Sequence, residues 1–176
     1  MIRKLRIDET ERYCQHLLRL GPADRHFRFC GAASDATIRR YCAGRRPWQS
    51  LVLGFFSDGE LRGAGELIFD QSPAWPRSCE AALSVEARFQ NRGVGTELLR
   101  RSNSAAGNRW IEVIRMLWLK ENFRMQAIAA KFEPVLTVGF GQIECEIRPH
   151  WPTMFTLAEE LFAGFGPRLD AMARRG

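Results

Sequence analysis

Between a short apolar run at 83–85 and a helical pattern opening at Thr96 stand Gln90, Asn91, Arg92, Gly93, Val94 and Gly95. A strand that enters a helix through a glycine-broken turn leaves a row of backbone N–H groups without intrahelical acceptors. Those donors and the helix dipole together make a site for a phosphate or pyrophosphate. Gly93 and Gly95 permit positive φ and let a ligand approach the backbone with no Cβ in the way. Arg92 adds a permanent cation and Thr96 a hydroxyl. A dinucleotide fingerprint would need a third glycine where Leu98 stands, and a nucleotide phosphate loop would need Gly-Lys-Ser/Thr, which is absent. The turn therefore reads as an anion cradle of neither kind.

The elements around it follow from periodicity and punctuation. Residues 2–7 alternate as a first strand, and Asp8 with Glu11 three positions on has the form of a capping box for the helix that follows. Gly21-Pro22 ends that helix. Shorter helical pieces are expected at 23–29 and 36–43, the second opened by Ser34-Asp35. Residues 51–56 and 61–69 form a hairpin across Asp58-Gly59. Pro73 and Pro76 mark a loop before a strand at 79–85, the glycine turn, and a helix from Thr96 to about Ala106. A strand at 111–119, a helix capped by Asn122, a hairpin around Gly141 and a helical tail at 153–173 with a break at 164–167 complete the chain. This order implies an α/β fold with a mixed sheet.

Composition narrows the function classes. The 176 residues are 45% hydrophobic, enough for one domain with its own core. No apolar run reaches the roughly 18 residues of a membrane span, and the first residues lack a signal peptide's apolar core, so a cytoplasmic protein is expected. The net charge is +6, but the arginines are scattered, and no basic stripe interleaved with aromatics suggests nucleic acid. The five cysteines form no C-x-x-C pair and the three histidines have no ligand spacing, so reduced thiols and no metal are expected.

The strand, the Gln90-x-x-Gly93-x-Gly95 turn, the helix, the next strand and Asn122 at a helix start together resemble the GNAT superfamily of acetyl-CoA-dependent N-acetyltransferases. Residues 121–132 resemble the Asn-x-x-Met-x-x-Leu-Ala-x-Lys-Phe form of bacterial protein-lysine acetyltransferases, as does the segment 20–29. The resemblance covers roughly residues 2–148. It implies a GNAT-like, mostly antiparallel sheet flanked by helices with splayed central strands: a domain over 1–150 and a helical extension over 151–176. It implies acetyl-CoA as cofactor, with the pyrophosphate on the N–H groups of Arg92, Gly93, Val94, Gly95 and Thr96. The pantetheine arm would run beside Leu83 and Val85 and receive a hydrogen bond from Asn122, with Met125 in the wall.

The reaction so implied sets further demands. An attacking amine must lose a proton, the developing oxyanion needs a donor, and the leaving thiolate benefits from an acid. On the strand at 79–85, Cys79, Ala81, Leu83 and Val85 share one face and Glu80, Ala82 and Ser84 the other. Glu80 is the first candidate base, and its place before the turn is also that of the family's glutamate. Glu66 is the second; if both carboxylates entered one cleft, their repulsion would raise one pKa, and the alternative for Glu66 is an ion pair with a nearby arginine. Many members carry a tyrosine as acid where this chain has Ala129, which leaves Ser84, Cys145 or water for that role. Protein-acetylating members also have alanine there. The acceptor is expected to be a small-molecule amine or a protein lysine, and the arginines of 23–43 favour acidic flanks. The competing class is an acyl-CoA-binding sensor without turnover. In the tail, Leu157, Leu161, Phe162 and Phe165 form an apolar stripe for the sheet or for a partner subunit, which would make a homodimer.

Overall fold

Alternation of apolar and polar residues builds one seven-stranded sheet with a hydrophobic cluster on each face. The computed structural model describes residues 1–71 and 77–163. Pro73, Pro76, Phe165 and the expected break at 164–167 lie outside them. The strands are β1 (Ile2–Lys4), β2 (Ser50–Ser57), β3 (Glu60–Phe69), β4 (Ser78–Val85), β5 (Val113–Leu119), β6 (Val135–Val138) and β7 (Gln142–Ile147). Their order is β1-β2-β3-β4-β5-β7-β6, and every neighbouring pair is antiparallel except β4–β5.

Six α-helices among the described residues flank the sheet: α1 (Thr10–Arg19), α2 (Pro22–Phe29), α3 (Asp35–Gly44), α4 (Val94–Gly107), α5 (Phe123–Ala129) and α6 (Met154–Ala163). Tyr13 and Leu17 of α1 and Ile38 of α3 pack on one sheet face with Val52 and Ala64. On the opposite face Leu98 and Leu99 of α4 pack with Leu51, Leu53 and Leu67. The period-2 alternation of β2 thus sends Val52 to one core and its two neighbours to the other.

Local chemistry accounts for the boundaries. Asp58 and Gly59 both adopt positive φ (53° and 76°), the conformation a two-residue hairpin requires. The first strand is shorter than alternation predicts and Asp8 does not cap α1. Glu9 instead accepts from the Arg6 N–H at 3.0 Å and from Arg3 at 2.6 Å, which holds a 3₁₀ turn at Ile7–Glu9 ahead of the helix. That pairing with Arg3 keeps the Glu9 carboxyl at about 2. The α6 helix is held by charge to α4 through Arg100–Glu159 at 2.6 Å and to the turn after α4 through Arg109–Glu160 at 2.5 Å. Leu157 and Leu161 stay exposed rather than covering the sheet. No helix among the described residues is long and apolar enough to cross a membrane.

Ser34 caps α3, its Oγ accepting from the Thr37 N–H at 3.2 Å. Replacing it with alanine leaves that donor without its cap and is expected to cost about 1 kcal/mol in urea unfolding. An unchanged midpoint would show that the cap contributes nothing to stability.

Candidate active site

The site begins where the sheet divides. β4 and β5 pair only at Ser78–Val113, Cys79–Ile114 and Glu80–Arg115. From Ile114 to Leu119, β5 is paired on its other edge with β7, and β4 stays on β3 up to Val85. The two strands therefore diverge, and residues 81–85 of β4 face a gap instead of a neighbour. Backbone amides and carbonyls with no partner inside a protein are costly unless water or a ligand satisfies them. The gap is a cleft of about 490 Å³ with residues 81–85 on one wall and Met116, Leu117 and Trp118 on the other. Its lining also takes in the turn before α4 and Asp24, Phe27 and Arg28 of α2. The resemblance implies an acceptor-side role for the segment 23–43, and which of its residues reach the wall depends on where α2 docks.

At the turn, the first helical bond runs from the Glu97 N–H to the Gly93 carbonyl at 2.9 Å. No backbone N–H from residue 91 to residue 96 has an acceptor among the described residues. Gly93 sits at φ 79°, which a Cβ would strain, and Asn91 at φ 57°. Gly95 lies in α4 and lines the cleft without the positive φ expected of it, and a Cβ there would meet the tip of the Ile128 side chain, Cδ1, at 2.8 Å. Lys131 reaches Thr96 Oγ1 at 3.3 Å, adding a cation beside the open amides, and Arg92 is exposed at the rim.

Gln90 is a brace: its Nε2 donates to Val85 O at 2.8 Å and to Asp24 Oδ1 at 2.9 Å, tying the end of β4 to α2. Leu83 and Val85 pack toward α4. Asn122 accepts from the Met125 N–H at 3.1 Å through Oδ1. Its amide protons have no partner among the described residues and it lines the cleft, as does the buried Met125.

The two candidate carboxylates do not meet in one cleft. Both lie on the α1–α3 face, since Glu66 is opposite Ala82 and Glu80 opposite Ile68. Glu66 is buried (1% exposed), and one of its oxygens, Oε2, takes three donors: Tyr13 at 2.7 Å, Arg28 at 2.9 Å, and Tyr41 through a short bond. Arg45 Nε lies 2.8 Å from its other oxygen, an ion pair by distance whose N–H does not align as a hydrogen bond. Burial pushes the Tyr41 hydroxyl up to about 12. Glu66 therefore anchors a buried cluster and does not serve an incoming amine. Glu80 is exposed at the closed end of the cleft, one residue before the wall begins. It has no ion pair or hydrogen bond among the described residues.

Two other expectations change. Cys145 is buried and outside the cleft lining, its thiol pushed up to about 11 by burial, so it is no proton donor to the cleft. Of the arginines at 23–43, Arg28 is committed to Glu66, and Arg25 to Asp35 and the end of α1. The basic surface is smaller than its composition implies.

Comparison with known proteins places this architecture. The profile of the Acetyltransferase (GNAT) family matches residues 14–132. The chain belongs to the GNAT acetyltransferase family. A curated acetyltransferase of Pseudomonas aeruginosa is 33% identical over 104 residues, covering 57% of this chain; the match spans about half (55%) of that relative's length. The GNAT domain of S. lividans PAT has the same fold: TM-score 0.69, 20% identity, 84% of this chain and 89% of that one covered. The PaiA N-acetyltransferase of Thermoplasma acidophilum, solved in complex with coenzyme A, gives TM-score 0.62 at 18% identity, with 84% and 98% covered.

Glu66→Gln strands two buried guanidinium groups without a counter-charge and is expected to cost about 3–5 kcal/mol in chemical denaturation. Wild-type stability with lost turnover would instead mark Glu66 as catalytic.

Proposed function

We propose that this protein is an acetyl-CoA-dependent N-acetyltransferase that acylates a primary amine, with protein lysine among its acceptors. The observation that carries the reading is the meeting, in one cleft, of open amides from 91 to 96 with the unpaired edge of β4. A phosphate-bearing ligand with an amide-containing arm satisfies both. The turn and Lys131 suit the pyrophosphate, the edge at 81–85 suits the arm's amides, and the free Asn122 amide faces the same space. The family membership and the coenzyme A in the Thermoplasma structure support the same ligand.

When bound, acetyl-CoA supplies an activated acyl group. The chain holds it, orients it and handles protons. An unpaired β4 N–H is suited to donate to the developing oxyanion. Glu80, unpartnered and on the α1–α3 face, serves as base toward the incoming ammonium through a water.

The test is thiol release from acetyl-CoA with Nα-acetyl-lysine amide, spermidine and lysine-containing peptides as acceptors. Turnover by the wild type, with Glu80→Gln lowering kcat about 10²-fold and leaving cofactor affinity unchanged, is the expected result. Tight acetyl-CoA binding with no thiol release across the panel would favour the sensor reading. Wild-type turnover in Glu80→Gln would remove the carboxylate from the mechanism. Gly93→Ala, which strains the turn at φ 79°, should weaken acetyl-CoA binding about tenfold or more while the far-UV spectrum is retained. Unchanged affinity would reject the cradle.

A further inference from the structure

On the same sheet face as Glu80, β4 presents Ser84 to the cleft wall. Behind it stands His16 of α1, fully buried, with Nε2 at 2.9 Å from Ser84 Oγ and Nδ1 at 3.3 Å from Glu86 Oε1. Residues of α1, β4 and the segment just after β4 thus line up as hydroxyl, imidazole and carboxylate, and Ser84 is one of the residues that line the cleft.

The protonation states follow from the surroundings. Glu86 is buried, yet hydrogen bonds from His16, Arg19 (2.9 Å) and Arg62 (3.0 Å) hold its carboxyl at about 2, so it is an acceptor only. His16 Nδ1 must then carry a proton. Burial lowers the His16 pKa below its ordinary value, with Arg19 and Arg28 adding to the effect, and Glu86 opposing it only in part. The ring is therefore neutral near pH 7, and its Nε2 lone pair accepts the Ser84 O–H. A neutral imidazole oriented this way behind a hydroxyl is set to take a proton from it.

We propose that Ser84, backed by His16 and Glu86, carries the second proton of the acyl transfer from nitrogen to sulfur. This rests on the acetyltransferase reading above. Glu80 takes the proton of the incoming ammonium, and the neutral amine attacks. The new C–N bond leaves the nitrogen with one proton too many. Ser84 Oγ accepts it as the Ser84 O–H proton passes to His16 Nε2, and the imidazolium is stabilised by Glu86. When the C–S bond breaks and its electron pair leaves with sulfur, His16 returns the proton to Ser84 Oγ and Ser84 gives one to the thiolate. An N–H bond is lost, an S–H bond is gained, and serine and imidazole end as they began. The relay supplies the acid that Ala129 cannot. Ser84 is the catalytic residue here; His16 and Glu86 are positioning residues that act through it.

Ser84→Ala is nearly isosteric and should lower kcat about 10²-fold, with KM for acetyl-CoA within about twofold and the thermal midpoint unchanged. Ser84→Thr, which keeps the hydroxyl, should recover most of the loss. His16→Gln should lower kcat to a similar extent, and the double variant should be no worse than either single one. A readout independent of turnover is the ¹⁵N spectrum of histidine-labelled, ligand-free protein at pH 7. It should show His16 as the neutral Nδ1–H form with an Nε2 signal that shifts in Ser84→Ala. Wild-type kcat in Ser84→Ala, an Nε2–H or doubly protonated His16, or acetyl-Ser84 after incubation with acetyl-CoA alone would each overturn the relay. No turnover by the wild type on any acceptor would sink the acetyltransferase reading, while the spectrum would still decide the state of the imidazole.

Discussion

β4 and β5 hold together for three residue pairs and then part, and the rest of the molecule is arranged around that divergence. Each strand keeps a partner on its far edge, β3 for one and β7 for the other, so neither can swing back to close the gap. The facing edge of β4 is left with amides and carbonyls that no other strand can reach. Continuing β4 into the turn before α4 puts a second set of open amides at the end of the same gap. A ligand that is anionic at one end and peptide-like along its length is the chemistry this arrangement lacks.

The α1–α3 face sorts its polar groups by how completely they are partnered. Tyr13 and His16, three residues apart on α1, point to the same side and reach different strands. Tyr13 meets Glu66, where Arg28 and a second tyrosine share one oxygen and Arg45 lies 2.8 Å from the other. His16 meets Ser84, one of the residues that line the cleft. Glu80, four residues earlier on the same strand face, has no partner among the described residues.

Much of the fold was legible in the sequence because its signals are local. Asp58-Gly59, Ser34, Gly93 and Asn122 each act within a few residues, through a φ angle or a cap, and each does so where spacing and residue type indicate. What escaped was long-range. Pairing of Glu66 with an arginine was one of its two expected roles, but nothing near it in sequence says that the partners are Arg28 and Arg45, and a histidine without ligand spacing gives no hint of a serine 68 positions away. The contact between Gly95 and the Ile128 side chain is visible only after α5 has packed on α4. The Asp8 cap failed because Glu9, six residues after Arg3, accepts from it and from the Arg6 N–H and so holds a 3₁₀ turn ahead of α1.

Amide hydrogen exchange with and without coenzyme A tests the central claim most directly, because it reads the backbone donors themselves. If the ligand completes the edge of β4 and the turn before α4, protection should rise at residues 81–85 and 91–96, with far smaller changes in β1, β2 and α3. Coenzyme A that binds without protecting either segment would contradict the account.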